Sequence, residues 1–116
     1  MEHYDERLRG VEGLKLNRKQ ENVRSNCAYY PVVFDGDRFR RDAVFEKLSA
    51  EGIFSRKYFY PLTNAFACYA GQPGFDPAET PVAASIAARV LTLPLYADLS
   101  AATVDQVCDI LLESGK

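Results

Sequence analysis

Near its C-terminal end the chain places Val104, Val107, Cys108 and Leu111 at i, i+3, i+4 and i+7, behind a Ser100 able to cap a helix. A helix with one apolar face must bury that face against another element, so the rest of the sequence has to supply a packing surface. It does so in short pieces. Residues 27–34, CAYYPVVF, are rich in β-branched and aromatic side chains and predict a strand whose pairing Pro31 limits. Over residues 38–51, Phe39, Val44 and Leu48, with part of Ala43 and Phe45, fall on one side, and Arg40, Arg41, Glu46 and Lys47 point away. This predicts an amphipathic helix packed on a sheet, with Asp37 as its cap and Gly52 as its stop.

The remaining segments follow the same logic. Tyr4 and Leu8, spaced i,i+4 within residues 1–10, read as the last turns of a helix stopped by Gly10 or Gly13. Because this helix starts at full stride on Met1, it suggests a chain cut from something longer. A short strand follows over 13–16 and a polar loop over 17–26. Residues 53–60, IFSRKYFY, predict a strand ended by Pro61. Gly71, Pro73, Gly74 and Pro77 break residues 62–80 into irregular chain around a short helical turn at 64–69. Pro81 suits the first position of a helix in which Val82, Ile86 and Val90 recur every four residues. Residues 90–96 have strand composition, and Pro94 implies that this strand lies at an edge or is very short. The expected architecture is α+β: a small antiparallel or mixed sheet with helices packed on one face.

Size and charge narrow the function. A chain of 116 residues suits one domain and is short for a cofactor pocket plus a substrate domain. With 14 Lys and Arg against 16 Asp and Glu there is no broad basic surface for nucleic acid or an anionic membrane. The longest apolar stretch, 90–96, is too short to span a bilayer. Cys27, Cys68 and Cys108 lie far apart, and His3 is the only histidine, so no clustered metal ligands exist. An odd cysteine count without a signal peptide points to reduced thiols in a cytoplasmic protein.

No phosphate-cradling, dinucleotide, calcium-loop or HExxH motif occurs. His3 reads as a surface residue of a frayed first turn, Asp35 and Asp37 as turn carboxylates, and Cys108 as a small buried hydrophobe rather than a nucleophile. Tyr29-Tyr30-Pro31 reads as core strand. Residues 56–61, RKYFYP, stand out for two cations and three aromatics in six positions. On a strand, Arg56, Tyr58 and Tyr60 would share one face, and Lys57 and Phe59 the other. A cation beside phenols can hold the phosphates and hydroxyls of a nucleotide-sugar; a half-buried edge strand with solvated cations has the same composition.

At these residues the chain resembles a known family. YDERL at 4–8, SNCAYYPVVF at 25–34, GIFSRKYFYPL at 52–62, PVAA at 81–84 and VLTLPLYADLS at 90–100, running into the last helix, are similar in order and kind to the C-terminal part of the DegT/DnrJ/StrS pyridoxal-phosphate-dependent nucleotide-sugar aminotransferases. The resemblance implies the small domain of a fold-type I transaminase, closing over a cofactor carried by a large domain. Residues 1–12 would be the end of the helix joining the domains and 13–116 the small domain itself. In the family the Schiff-base lysine sits in a Ser-rich motif followed by Gly-Glu-Gly-Gly; none of Lys15, Lys19, Lys47, Lys57 and Lys116 has that context. The implied catalytic residues and pyridoxal phosphate therefore belong to a missing N-terminal domain, and the isolated chain is expected to be inactive and cofactor-free. The implied parent is a homodimer that moves an amino group, from glutamate, onto a nucleotide-linked keto-sugar.

By the same likeness the Tyr60-Pro61 strand runs toward the substrate cleft. Tyr60 would supply a hydroxyl contact, Phe59 a sugar or base platform, and Lys57 a charge for the diphosphate. Many members carry His just before Tyr-Pro and Pro-Leu-His after it, where this chain has Phe59 and then Leu62-Thr63-Asn64. That departure leaves the sugar open. The competing reading is a stand-alone small α+β binding or interaction module without catalysis.

Overall fold

The computed structural model describes residues 1–116. Three strands, β1 (Leu14–Leu16), β2 (Tyr30–Phe34) and β3 (Val90–Leu93), form an antiparallel sheet in the order β1-β2-β3. Opposed residues on antiparallel strands share a face, so the register Leu14↔Phe34, Leu16↔Val32, Val32↔Leu91 and Tyr30↔Leu93 gathers seven apolar side chains on one face. Pairing of β1 to β2 ends at Val32, next to Pro31, as a residue without an N–H donor predicts. β3 ends at Leu93, before Pro94, and lies at the sheet edge.

Helices α1 (Glu2–Leu8), α2 (Arg41–Ala50) and α4 (Ala101–Glu113) cover the apolar face. Tyr4 and Leu8 of α1, Val44 and Leu48 of α2, and Val104, Val107, Cys108 and Leu111 of α4 are buried with Tyr30, Val32, Phe34, Leu91 and Leu93 in one core. Each such Leu or Val removed from water contributes about 1.5–3 kcal/mol. Ser100 caps α4 as the spacing predicts, its Oγ accepting from Thr103 N–H at 3.1 Å. α3 (Pro81–Arg89) begins on its proline and runs directly into β3. No helix is long and apolar enough to cross a membrane, and no three His, Cys, Asp or Glu side chains converge to hold a metal.

Several local expectations are corrected. Asp37 does not cap α2, which starts four residues later behind Arg40 with no side-chain cap. Phe39 is fully buried but precedes the helix, packing on Phe34 at 6.2 Å between centroids. With the helix phase moved, Arg41, Val44 and Leu48 form the i, i+3, i+7 stripe, and Arg41 is 8% exposed rather than facing solvent. On α3, Val82 is 72% and Ile86 42% exposed, and only Ala87 is buried. These side chains border an open groove of about 740 Å³ against Lys15, Pro31 and Val33 on the sheet's second face. His3 is not frayed: it lies within α1, its Nε2 2.9 Å from Asp105 Oδ1, with Arg7 bridging Asp105 and Asp109 beside it.

Candidate functional site

Residues 53–60 do not form the expected strand. One antiparallel bridge, Arg56↔Thr92, joins them to the outer edge of β3, through Arg56 N–H to Thr92 O at 3.0 Å and Thr92 N–H to Arg56 O at 2.8 Å. Beyond Arg56 the chain leaves the sheet and turns, Tyr60 N–H donating to Lys57 O at 3.0 Å. Strand alternation is thereby lost. Tyr58 and Phe59, predicted on opposite faces, instead stack at 5.0 Å with planes 17° apart, and Tyr29 meets Tyr58 edge-on at 5.4 Å. The Arg56 guanidinium lies 5.5 Å over the Tyr58 ring and donates to its hydroxyl.

The turn brings Lys57 and Tyr60 to the N-terminal end of α2, while Phe59 stacks on Tyr58. Phe59 is 72% and Tyr60 55% exposed. Lys57 Nζ is 2.6 Å from Asp42 Oδ1 and 4.5 Å from the Phe45 ring centroid. Arg41 Nε approaches the same Asp42 oxygen at 2.9 Å, an ion pair whose angle falls short of a hydrogen bond. The Arg41 guanidinium also lies 4.8 Å over the Tyr60 ring. Lys57, and after it Arg41, hold the Asp42 carboxyl below the ordinary carboxylate range against the opposing pull of partial burial. Two cations thus share one carboxylate beside two exposed aromatic rings, an arrangement with surplus positive charge and open apolar faces.

Sequence reasoning singled out Lys57, Phe59 and Tyr60 and missed Arg41 and Asp42, which contact Tyr60 and Lys57. The signal was present in the i, i+3, i+7 relation of Arg41 to Val44 and Leu48, hidden by phasing the helix on Phe39. After Pro61, Asn64 in a 3₁₀ turn (Thr63–Ala65) donates to Thr80 Oγ1 at 3.0 Å and Asp76 O at 3.3 Å. It closes the 62–80 loop onto the start of α3.

Pyridoxal phosphate requires a lysine free to form an imine, an acidic or basic partner for the ring nitrogen and phosphate donors, all in one cavity. Lys57 is paired to Asp42 and Lys19 to Asp5 at 3.3 Å, while Lys15, Lys47 and Lys116 are exposed on β1, α2 and the C-terminus. The residues of this chain do not fit that cofactor. The buried thiol of Cys108 is pushed up to about 11, so it is held protonated within the core.

A three-stranded antiparallel sheet, three helices on its apolar face and an aromatic, cationic turn beyond the edge strand define a small α+β domain. The chain belongs to the DegT/DnrJ/EryC1/StrS aminotransferase family, whose model matches residues 1–112. It is similar to the Escherichia coli dTDP-4-amino-4,6-dideoxy-D-glucose transaminase, 36% identical over 110 residues, which are 94% of this chain and 30% of that protein. Among solved structures it is similar to DesI, determined with its TDP-sugar product, at a TM-score of 0.82 and 31% identity over 95% of this chain and 28% of that one. A Streptococcus pneumoniae sugar aminotransferase structure in its PMP form gives a TM-score of 0.84 at 26% identity, over 98% of this chain and 28% of that one. The chain therefore spans about 30% of the length of the curated relatives it matches.

Proposed function

We propose that this chain is the substrate-side small domain of a pyridoxal-phosphate-dependent aminotransferase that moves an amino group from glutamate to a nucleotide-linked keto-sugar. The observation that carries the reading is the sharing of Asp42 by Lys57 and Arg41 beside exposed Phe59 and Tyr60. A diphosphate meets the surplus positive charge, a sugar or base ring lies on Phe59, and the Tyr60 hydroxyl is free to donate to a sugar oxygen. The E. coli relative acts on a dTDP-linked sugar, which supports the same ligand class here. Residues 1–12 end a helix that joins the two domains, and the parent enzyme is a homodimer. The imine-forming lysine and the cofactor site come from the large domain, so this chain alone binds sugar nucleotide and does not transaminate.

Calorimetric titration of the chain with dTDP-glucose tests this. Binding is expected for dTDP-glucose and is expected to weaken with Phe59→Ala; an absence of heat at millimolar ligand rejects the substrate-side role. Adding pyridoxal phosphate should give no absorbance band that a single lysine substitution removes, and such a band would place the chemistry in this chain.

A further inference from the structure

Arg41 occupies a position that should disfavour it. It opens α2, where the helix dipole repels a cation, and it is 8% exposed, where losing water costs a charge heavily. Its place in the stripe with Val44 and Leu48 would be filled by a leucine at lower cost. What a leucine cannot do is make the three contacts of this guanidinium. Nη1 donates to Ala87 O at 3.0 Å, a carbonyl in the last turn of α3 that the helix itself leaves without a partner. The planar group lies 4.8 Å from the Tyr60 centroid, and Nε lies against Asp42, which holds Lys57. One rigid fork therefore joins the end of α3, the Tyr60 ring and, through Asp42, the Lys57 ammonium.

We propose that Arg41 is the positioning residue of the substrate-facing turn, fixing Tyr60 relative to the α3 end while contacting no substrate itself. The inference rests on the substrate role of Tyr60 proposed above. Lysine at position 41 keeps the charge and loses the fork, so it cannot serve the Ala87 carbonyl, the ring and Asp42 together.

Two measurements on the ¹⁵N-labelled chain test it. The first follows the Arg41 Nε–H resonance in Tyr60→Phe, which keeps the ring, and in Tyr60→Leu, which removes it; Tyr60 is exposed enough for both variants to fold. Tyr60→Phe should leave the resonance in place and Tyr60→Leu should shift it downfield by removing the ring current. An unmoved resonance in Tyr60→Leu overturns the contact and with it the proposal. The second compares dTDP-glucose affinity of wild type and Arg41→Lys at matched folded content by circular dichroism. Folded Arg41→Lys should bind about tenfold more weakly, the loss of roughly one desolvated guanidinium contact; wild-type affinity in that variant also overturns it. If wild type itself does not respond to dTDP-glucose, the substrate reading fails, and the resonance measurement alone decides whether Arg41 positions the turn.

Discussion

Tyr4 of α1 lies stacked on Tyr30 of the central strand, ring centroids 4.7 Å apart and planes 26° from parallel. Both rings are buried, and their hydroxyls leave in different directions, Tyr4 to Pro94 O at 3.0 Å and Tyr30 to Asp5 Oδ1 at 2.8 Å. The first helix is thereby fastened to β2 and to the exit from β3 at once. Tyr4→Phe should cost about 1 kcal/mol, one net hydrogen bond, and Tyr4→Ala about 3–5 kcal/mol, the scale for emptying an aromatic site. Urea unfolding followed by far-UV circular dichroism measures both. Equal losses for the two variants would put the worth in the hydroxyl and contradict the packing account.

The core also sets a pH limit. Burial raises the Cys108 thiol from 9.0 to about 11, and burial likewise raises the phenols of Tyr4 and Tyr30, the latter aided by Asp5. Their protonated forms are favoured in the folded chain, so the unfolded chain loses these protons first as pH rises. The stabilisation is complete below pH 9 and, for Cys108, is lost by about pH 11. Denaturant midpoints should fall across that interval, less steeply in Cys108→Ala. An identical slope in that variant would remove the thiol from the explanation.

Ser100 tests the part of the fold that was most legible. Its cap and the Val104, Val107, Cys108, Leu111 face were both readable because they depend on near neighbours along one helix, and both stand as read. Ser100→Ala should cost about 1 kcal/mol by orphaning the Thr103 N–H, and Ser100→Asp should retain most of that stability. A neutral Ser100→Ala would mean that the burial of α4 holds its first turn without the cap.

The turn over residues 57–60 was legible in composition and not in shape. Arg56, Lys57, Tyr58, Phe59 and Tyr60 have strand residues in strand spacing, yet only Arg56 pairs, because β3 offers this segment one bridge at Thr92 before Pro94 ends it. Nothing local specifies that Lys57 then turns toward Asp42, fifteen residues earlier in the chain. The α3 stripe failed for the complementary reason. Val82 and Ile86 repeat at helical spacing, but of α3 only Ala87 is buried, so their periodicity ends in an open groove instead of the core. Both differences arise from long-range placement, which periodicity does not encode.

Asp42 gives the sharpest test of how the site handles an anion. Its carboxylate lies 2.6 Å from Lys57 Nζ and 2.9 Å from Arg41 Nε, so under the proposed function an arriving diphosphate competes with it for the same ammonium. Removing the charge while keeping the shape, as in Asp42→Asn, should free Lys57 and tighten dTDP-glucose binding severalfold. Lys57→Met should weaken it by about tenfold, the loss of one charge-assisted contact. Because the pair is partly exposed, both changes should shrink as salt rises from 50 to about 500 mM, where the screening length falls below about 5 Å. Calorimetry at the two salt concentrations reads all four combinations. Tighter binding in Asp42→Asn requires that the ligand's charge meets Lys57. If Asp42→Asn binds more weakly than wild type, Asp42 is holding Lys57 in place for the ligand rather than competing with it, and the competition account is wrong.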